Sequence, residues 1–226
     1  MDALHDEKLK WLEEKATELR IDIIKMLVEA GSGHSAGPLG MADVFTALYF
    51  HVLNHNPKKP QWSERDRVIL SNGHIVPVWY ATLAHCGYFP KKELATLRKM
   101  GSMLQGHPHR GSAPGIENTS GPLGQGSSVA VGVANAAKLK KQTFQTYLLV
   151  SDGELDEGQS WEAFMYAGNH HINNLTLICD RNNIQIDGYT ESIMPLSLAA
   201  SIIASASLTE MHIGFSTMTC LPASMH

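Results

Sequence analysis

Two short turns carry the residue types with the most chemical content. Ser151-Asp152-Gly153 follows the apolar run Thr146–Val150, and Asp180-Arg181-Asn182-Asn183 follows the apolar run Leu175–Cys179. Asp152 and Asn182 lie 182 − 152 = 30 residues apart, a spacing that fits one strand–helix–strand unit. In a right-handed unit of that kind both strands end at the same carboxyl edge of the sheet, where open α/β sheets bind ligands. One carboxylate, one amide oxygen and a nearby main-chain carbonyl form a hard oxygen set suited to Mg²⁺ or Ca²⁺. A single carboxylate is too little charge for an all-protein cage, so the remaining positions suit phosphate oxygens and water. Gly153 has no side chain and lets the backbone approach a diphosphate. Taken singly, Asp-Gly and Asn-Asn are ordinary turn residues; the pairing after two apolar runs is what points to a site.

Histidine is the second chemical signal. The chain has 12 histidines, and three follow a glycine directly: Gly33-His34, Gly73-His74 and Gly106-His107. An imidazole with an ordinary pKa of about 6.5 both gives and takes protons near neutrality. His109, His170 and His171 lack comparable support, and His170-His171 read as the end of a helix. SDGELDEG is not an EF-hand, since its sixth position from Asp152 is Glu157 rather than glycine. No Gly-Lys-Ser/Thr occurs, so there is no P-loop.

The elements that must position these residues follow from periodicity. Leu9, Leu12, Ala16, Leu19, Ile23, Met26 and Ala30 mark one face of a long helix, which Gly31-Ser32-Gly33 ends. A Gly/Pro loop over 34–40 precedes a helix over 41–54. Arg67–Leu70 reads as a strand, 75–86 as a helix with Pro77 in its first turn, and Lys91–Met100 as a helix. Residues 101–126 are glycine-rich and aperiodic, a long functional loop. Helices over Ser128–Lys141 and Trp161–His170 alternate with the two apolar strands. This pattern predicts an α/β fold, a mainly parallel sheet with helices on both faces.

Composition bounds the rest. With 226 residues, 43% hydrophobic content and a net charge of −4, the chain reads as one globular domain without the footprint of a nucleic-acid or membrane binder. Cys86, Cys179 and Cys220 form no metal or redox motif, which fits a reducing cytoplasm.

Five stretches together resemble the transketolase form of the thiamine-diphosphate-binding domain. They are Gly33-His34-Ser35-Ala36-Gly37-Pro38-Leu39-Gly40, Ser71-Asn72-Gly73-His74, Gly106-His107-Pro108, Gly121-Pro122-Leu123-Gly124-Gln125-Gly126, and Ser151-Asp152-Gly153-Glu154 paired with Asp180-Arg181-Asn182-Asn183-Ile184-Gln185-Ile186-Asp187-Gly188. The resemblance implies a metal held by Asp152, Asn182 and the main-chain oxygen of Ile184. It implies diphosphate contacts from Gly153 and His74, and a loop through Gly121 and Leu123 over the aminopyrimidine. Glu157 would join a hydrogen-bond network between paired active sites, and His34 and His107 would face the substrate. Ser151 stands where the family usually has glycine, a position of strain if it needs positive φ.

The implied activity is transfer of a two-carbon ketol unit from a ketose phosphate to an aldose phosphate, in pentose-phosphate carbohydrate metabolism, with thiamine diphosphate and Mg²⁺ or Ca²⁺ as cofactors. A deoxyxylulose-phosphate synthase, a dehydrogenase E1 component and a non-catalytic fragment are the alternatives. The family completes its site with a pyrimidine-binding domain. A separate partner chain, the C-terminal section of a split transketolase, is therefore expected. The resemblance runs from about residue 10 to about residue 195, and residues 1–196 are expected to form the diphosphate-side domain. From Ser192 to His226 the only charged side chain is Glu210, and residues 197–226 are expected to be an atypical tail, frameshifted or disordered.

Overall fold

The computed structural model describes residues 6–186 and 188–196. The tail from residue 197, with Cys220, and Asp187 of the second motif lie outside the described residues. The described residues fall into two compact units, one within Met1–Asp66 and Gly73–Gly121, the other within Arg67–Asn72 and Pro122–His226.

The first unit is helical. Helix α1 (Asp6–Ala30) buries Leu12, Ala16, Leu19, Ile23 and Met26, the middle of the stripe its periodicity predicts; at the two ends Leu9 is exposed and Ala30 half-buried. That stripe packs on α3 (Ala42–Ala47) and α4 (Val76–Cys86), where Phe45, Trp79, Tyr80 and Leu83 are fully buried. Burying each such side chain contributes about 1.5–3 kcal/mol. α1 stops at Gly31, whose φ of 62° is the left-handed cap that glycine supplies without strain. Arg20 donates to Leu39 O at 3.1 Å and pairs with Asp43 at 2.5 Å, tying α1 to the segment after His34. Buried Trp79 donates to the Tyr49 hydroxyl at 2.5 Å.

Three segments differ from their sequence expectations. The 34–40 loop closes in a one-turn helix, α2 (Ala36–Gly40); Pro38 fits because a first turn needs no N–H donors. The helix expected over 41–54 is α3 followed by a π-turn over Leu48–Val52. The helix expected over Lys91–Met100 is a 3₁₀ turn over Lys91–Thr96. There the chain reverses at Arg98, whose φ is 61° and whose N–H donates to Leu104 O at 2.9 Å.

The second unit holds the sheet. Strands β1 (Arg67–Leu70), β2 (Thr146–Ser151) and β3 (Leu175–Asp180) are parallel, in the order β1-β2-β3. The register places Ile69 beside Leu148 and Leu148 beside Leu177. On this face Ile69, Leu148 and Val150 form a core with Ala130 of α5 (Gln125–Leu139), Phe164 of α6 (Gly158–Asn169), Leu155 and Leu196. β1 and β2 are largely buried, whereas β3, an edge strand among the described residues, is half-buried. A small hairpin, β4 (Ile184–Gln185) and β5 (Gly188–Tyr189), and the turn α7 (Thr190–Ile193) follow β3. Ser151 pairs with Asp180 inside the ladder, so it is extended and free of the strain that a positive φ would bring.

Apart from Val131, α5 buries only small residues, among them Gly126, Ser127, Ala130 and Ala134, so it lies close to the sheet. A β-carbon on Gly126 would stand 2.4 Å from Ser71 Cβ, whereas one on Gly132 of the same helix would meet nothing within 4 Å. Gly126→Ala should therefore cost about 1–3 kcal/mol through overpacking, and Gly132→Ala should gain about 0.5–1 kcal/mol from helix propensity. Urea unfolding of the two variants checks the opposite signs.

Candidate functional site

The parallel register places the ends of the strands together. Ser71 follows β1, Asp152 follows β2 and the Arg181–Asn183 turn follows β3, all at the carboxyl edge. Asp152 is buried at 1% exposure and spans two of these turns. Its N–H donates to Asp180 O at 3.2 Å. One carboxylate oxygen accepts from Gly153 N at 2.9 Å; the other accepts from Asn183 N at 2.6 Å and from the Thr190 hydroxyl at 3.1 Å. Asn183 reaches that position with φ 63°, a conformation asparagine tolerates better than most residues. The register thus brings Asp152 and the Asn182–Ile184 turn to one place, though their separation in sequence is 30 residues.

Asn182 and Ile184 are exposed on this edge. The Asn182 amide donates to Asp180 at 3.4 Å, and its oxygen accepts from Ile184 N at 3.0 Å. Burial pushes the Asp180 carboxyl up to about 6, with the Asn182 amide opposing it and the Asp152 charge reinforcing it. Gly153 sits close against the hairpin, since a β-carbon there would be 3.0 Å from Gln185 Cβ. No group of three or more His, Cys, Asp or Glu side chains placed to hold a metal ion by themselves occurs among the described residues. The oxygen set here is one carboxylate with neutral amide and main-chain oxygens. It fits a hard cation whose remaining charge is balanced by a diphosphate.

Glu157 is exposed, and its carboxylate has no hydrogen-bond partner among the described residues. Leu123 is half-buried, and its carbonyl accepts from Gln159 of α6 at 3.0 Å.

The first unit brings the three glycine-flanked histidines together. The His34 ring lies 5.1 Å from His74 and 6.5 Å from His107, centroid to centroid. Gly33 has φ 125°, a conformation that strains any other residue, and a β-carbon there would also fall 2.7 Å from Leu27 Cδ2. A β-carbon built on Gly121 would lie 4.0 Å from the His107 ring. Burial, then the nearby His34 and His107, lowers His74 to about 4. Desolvation, then His34 and Arg98, lowers His107. Neutral rings offer one donor nitrogen and one acceptor nitrogen each, which suits binding hydroxyl and carbonyl groups and moving a proton between them.

Sequence reasoning missed two residues. Arg98 stands beside this cluster, its guanidinium 3.7 Å from a β-carbon built on Gly33 and 3.3 Å from one on Gly106. Glu154 of the second unit is fully buried. It accepts from the Ser71 hydroxyl, from Gly124 N at 2.6 Å and from Ser151 N at 3.3 Å. Burial raises its pKa, against those three hydrogen bonds. Neither residue carries a local signal: an acid directly after Asp-Gly reads as a solvated turn until its burial is known.

Residues 13–205 match the family described as transketolase, thiamine diphosphate binding domain. The chain is 43% identical over 185 residues to the 6-deoxy-6-sulfo-D-fructose transketolase subunit SqwG of Clostridium sp. (strain MSTE9), covering 82% of this chain and 67% of that protein. It is 41% identical over 189 residues to an apulose-4-phosphate transketolase subunit of Phocaeicola vulgatus, covering 84% and 67%. The solved transketolase from Leishmania mexicana superposes with a TM-score of 0.80 at 35% identity, over 85% of this chain and 30% of that one.

The lowered His74 pKa sets a pH dependence. Its ordinary value in an unfolded chain is about 6.5, against about 4 in the fold. As pH falls the unfolded chain takes up the proton first, so stability present above about pH 6.5 is lost on the way to about pH 4. The His74 ring protons should titrate near 4 by NMR. The fall in urea midpoint over that window should be smaller in His74→Gln.

Proposed function

The chain belongs to the transketolase family as its thiamine-diphosphate-binding domain, and from that premise we propose that it is the cofactor-binding subunit of a split transketolase. The observation that carries the site is the β2–β3 register, which sets Asp152 beside the Asn182–Ile184 turn. Asp152, Asn182 and the Ile184 main-chain oxygen hold the cation, Mg²⁺ by preference and Ca²⁺ as its substitute. Gly153 gives the diphosphate close access to the backbone, and His74 adds a contact to it. Gly121 and Leu123 lie on the loop assigned to the aminopyrimidine, and Glu157 is assigned to the network between paired sites.

When bound, thiamine diphosphate supplies the carbanion chemistry that breaks and makes the carbon–carbon bond. This chain's own part is binding and proton handling. His34 and His107 hold the hydroxyl and carbonyl oxygens of a sugar phosphate, and a neutral ring at neutral pH both accepts and returns the proton. The reaction is transfer of a two-carbon ketol unit from a ketose phosphate to an aldose phosphate, as in pentose phosphate metabolism.

A second chain supplies the pyrimidine-binding half. Two relatives of which this chain covers 67% are named as transketolase subunits, which supports a hetero-oligomer of paired halves. Among the described residues no helix is long and apolar enough to cross a membrane. Cys86 and Cys179 are free thiols, which supports a cytoplasmic setting.

Calorimetry of the chain with its partner, thiamine diphosphate and Mg²⁺ tests the site. Asp152→Ala and Asn182→Ala should each weaken binding at least tenfold, about 1.4 kcal/mol. Unchanged affinity in both variants would remove these residues from the metal set. Assay of the paired chains on ketose phosphates with an aldose phosphate acceptor tests the reaction, and cofactor binding without two-carbon transfer would point to another thiamine-diphosphate enzyme.

A further inference from the structure

Glu154 has an environment that the proposed chemistry does not require of it. Its carboxylate is fully buried and has no Lys, Arg or His ion pair among the described residues. A buried carboxylate without a cation is costly unless hydrogen-bond donors satisfy it. Here all the donors come from other turns. Ser71, just past β1, donates its hydroxyl; Gly124 donates its N–H at 2.6 Å; Ser151, at the end of β2, donates its N–H at 3.3 Å. The Ser71 oxygen in turn accepts from Gly126 N at 3.0 Å.

Gly124 and Gly126 open helix α5, and Gly124, its N-cap, has no side chain to satisfy the free N–H groups there. Glu154, directly and through Ser71, does that work from the turn after β2, and the positive end of the 15-residue helix offsets the buried charge. Both positions call for glycine: Gly124 has φ 79°, which strains other residues, and a β-carbon on Gly126 would meet Ser71 Cβ at 2.4 Å. The Leu123–Gly126 segment is therefore clamped on the 3₁₀ turn Gly153–Asp156 that Asp152 caps.

We propose that Glu154 is a positioning residue for the cofactor site, joining the Leu123–Gly124 segment on the aminopyrimidine side to the Asp152 turn on the metal side. The inference rests on the thiamine-diphosphate reading above. Glu154→Gln keeps the shape but turns an NH₂ group toward one of three donors, and Ser71→Ala breaks the relay to Gly126 with a smaller change.

The test uses the full chain with its partner and two readouts. By NMR hydrogen exchange, Glu154→Gln should speed exchange of the Gly124 and Gly126 amides about tenfold or more, while Tyr147–Val150 of β2 and the Asn183 amide stay protected. By calorimetry in Mg²⁺, the same variant should raise the thiamine diphosphate Kd about tenfold to a hundredfold. Ser71→Ala should move both readouts the same way, by less, and the double variant should fall short of the sum. If Glu154→Gln does not fold, Ser71→Ala carries the test alone. Faster exchange spread evenly over β2 would show a general structural role and overturn the proposal. Local loosening with an unchanged Kd would overturn it as well. Failure of the wild-type pair to bind thiamine diphosphate would sink the cofactor reading itself, and is told apart because it appears before any substitution.

Discussion

A buried carboxylate has to be surrounded by donors, and Asp152 meets that demand only because β2 and β3 are neighbours in register. Its two oxygens take N–H groups from Gly153 and Asn183 and the hydroxyl of Thr190. Those donors come from the turn after β2, the turn after β3 and the start of α7. A slip of the β2–β3 register by one residue would turn the apolar residues to the wrong faces and leave this carboxylate unsatisfied. Core packing and the geometry of the edge are therefore enforced together. The same register that sets Leu148 beside Leu177 sets Ser151 beside Asp180.

The histidine cluster follows a different rule. Desolvation first, and then the nearness of His34 at 5.1 and 6.5 Å, makes a proton harder to add to His74 and to His107. Crowding and desolvation thus keep His74 and His107 neutral at physiological pH, the state in which a ring can both donate and accept. Glycine makes the crowding possible. At Gly33 and Gly106 a side chain would occupy the space that Leu27 and Arg98 fill.

The two units place their candidate residues by different means. The sheet unit uses backbone N–H groups and strand ends, which are rigid and barely adjustable. The helical unit uses side chains on loops held by α1, α3 and α4. Asn182, Ile184 and Glu157 are exposed in the single chain.

Much of this was legible in the sequence for identifiable reasons. Apolar runs ending in Ser-Asp-Gly and Asp-Arg-Asn-Asn revealed β2, β3 and their turns, because buried parallel strands must be apolar throughout and must end where polar turn residues begin. The stripe from Leu12 to Met26 revealed α1 by its period. Short-range competition was harder to read. The one-turn helix at Ala36–Gly40, the π-turn after α3 and the 3₁₀ turn at Lys91–Thr96 depend on how neighbouring elements pack. Glu154 and Arg98 were missed because nothing in their local sequence reports burial or neighbours. By itself the sequence determined which residue types stood after which strands, and so the class of ligand the edge suits. Only the tertiary structure decided that Asp152 and Asn183 touch, that three loops bring His34, His74 and His107 together, and that Glu154 is enclosed by Ser71, Gly124 and Ser151. These contacts join residues far apart in the chain, and only the packed register brings them within hydrogen-bonding range.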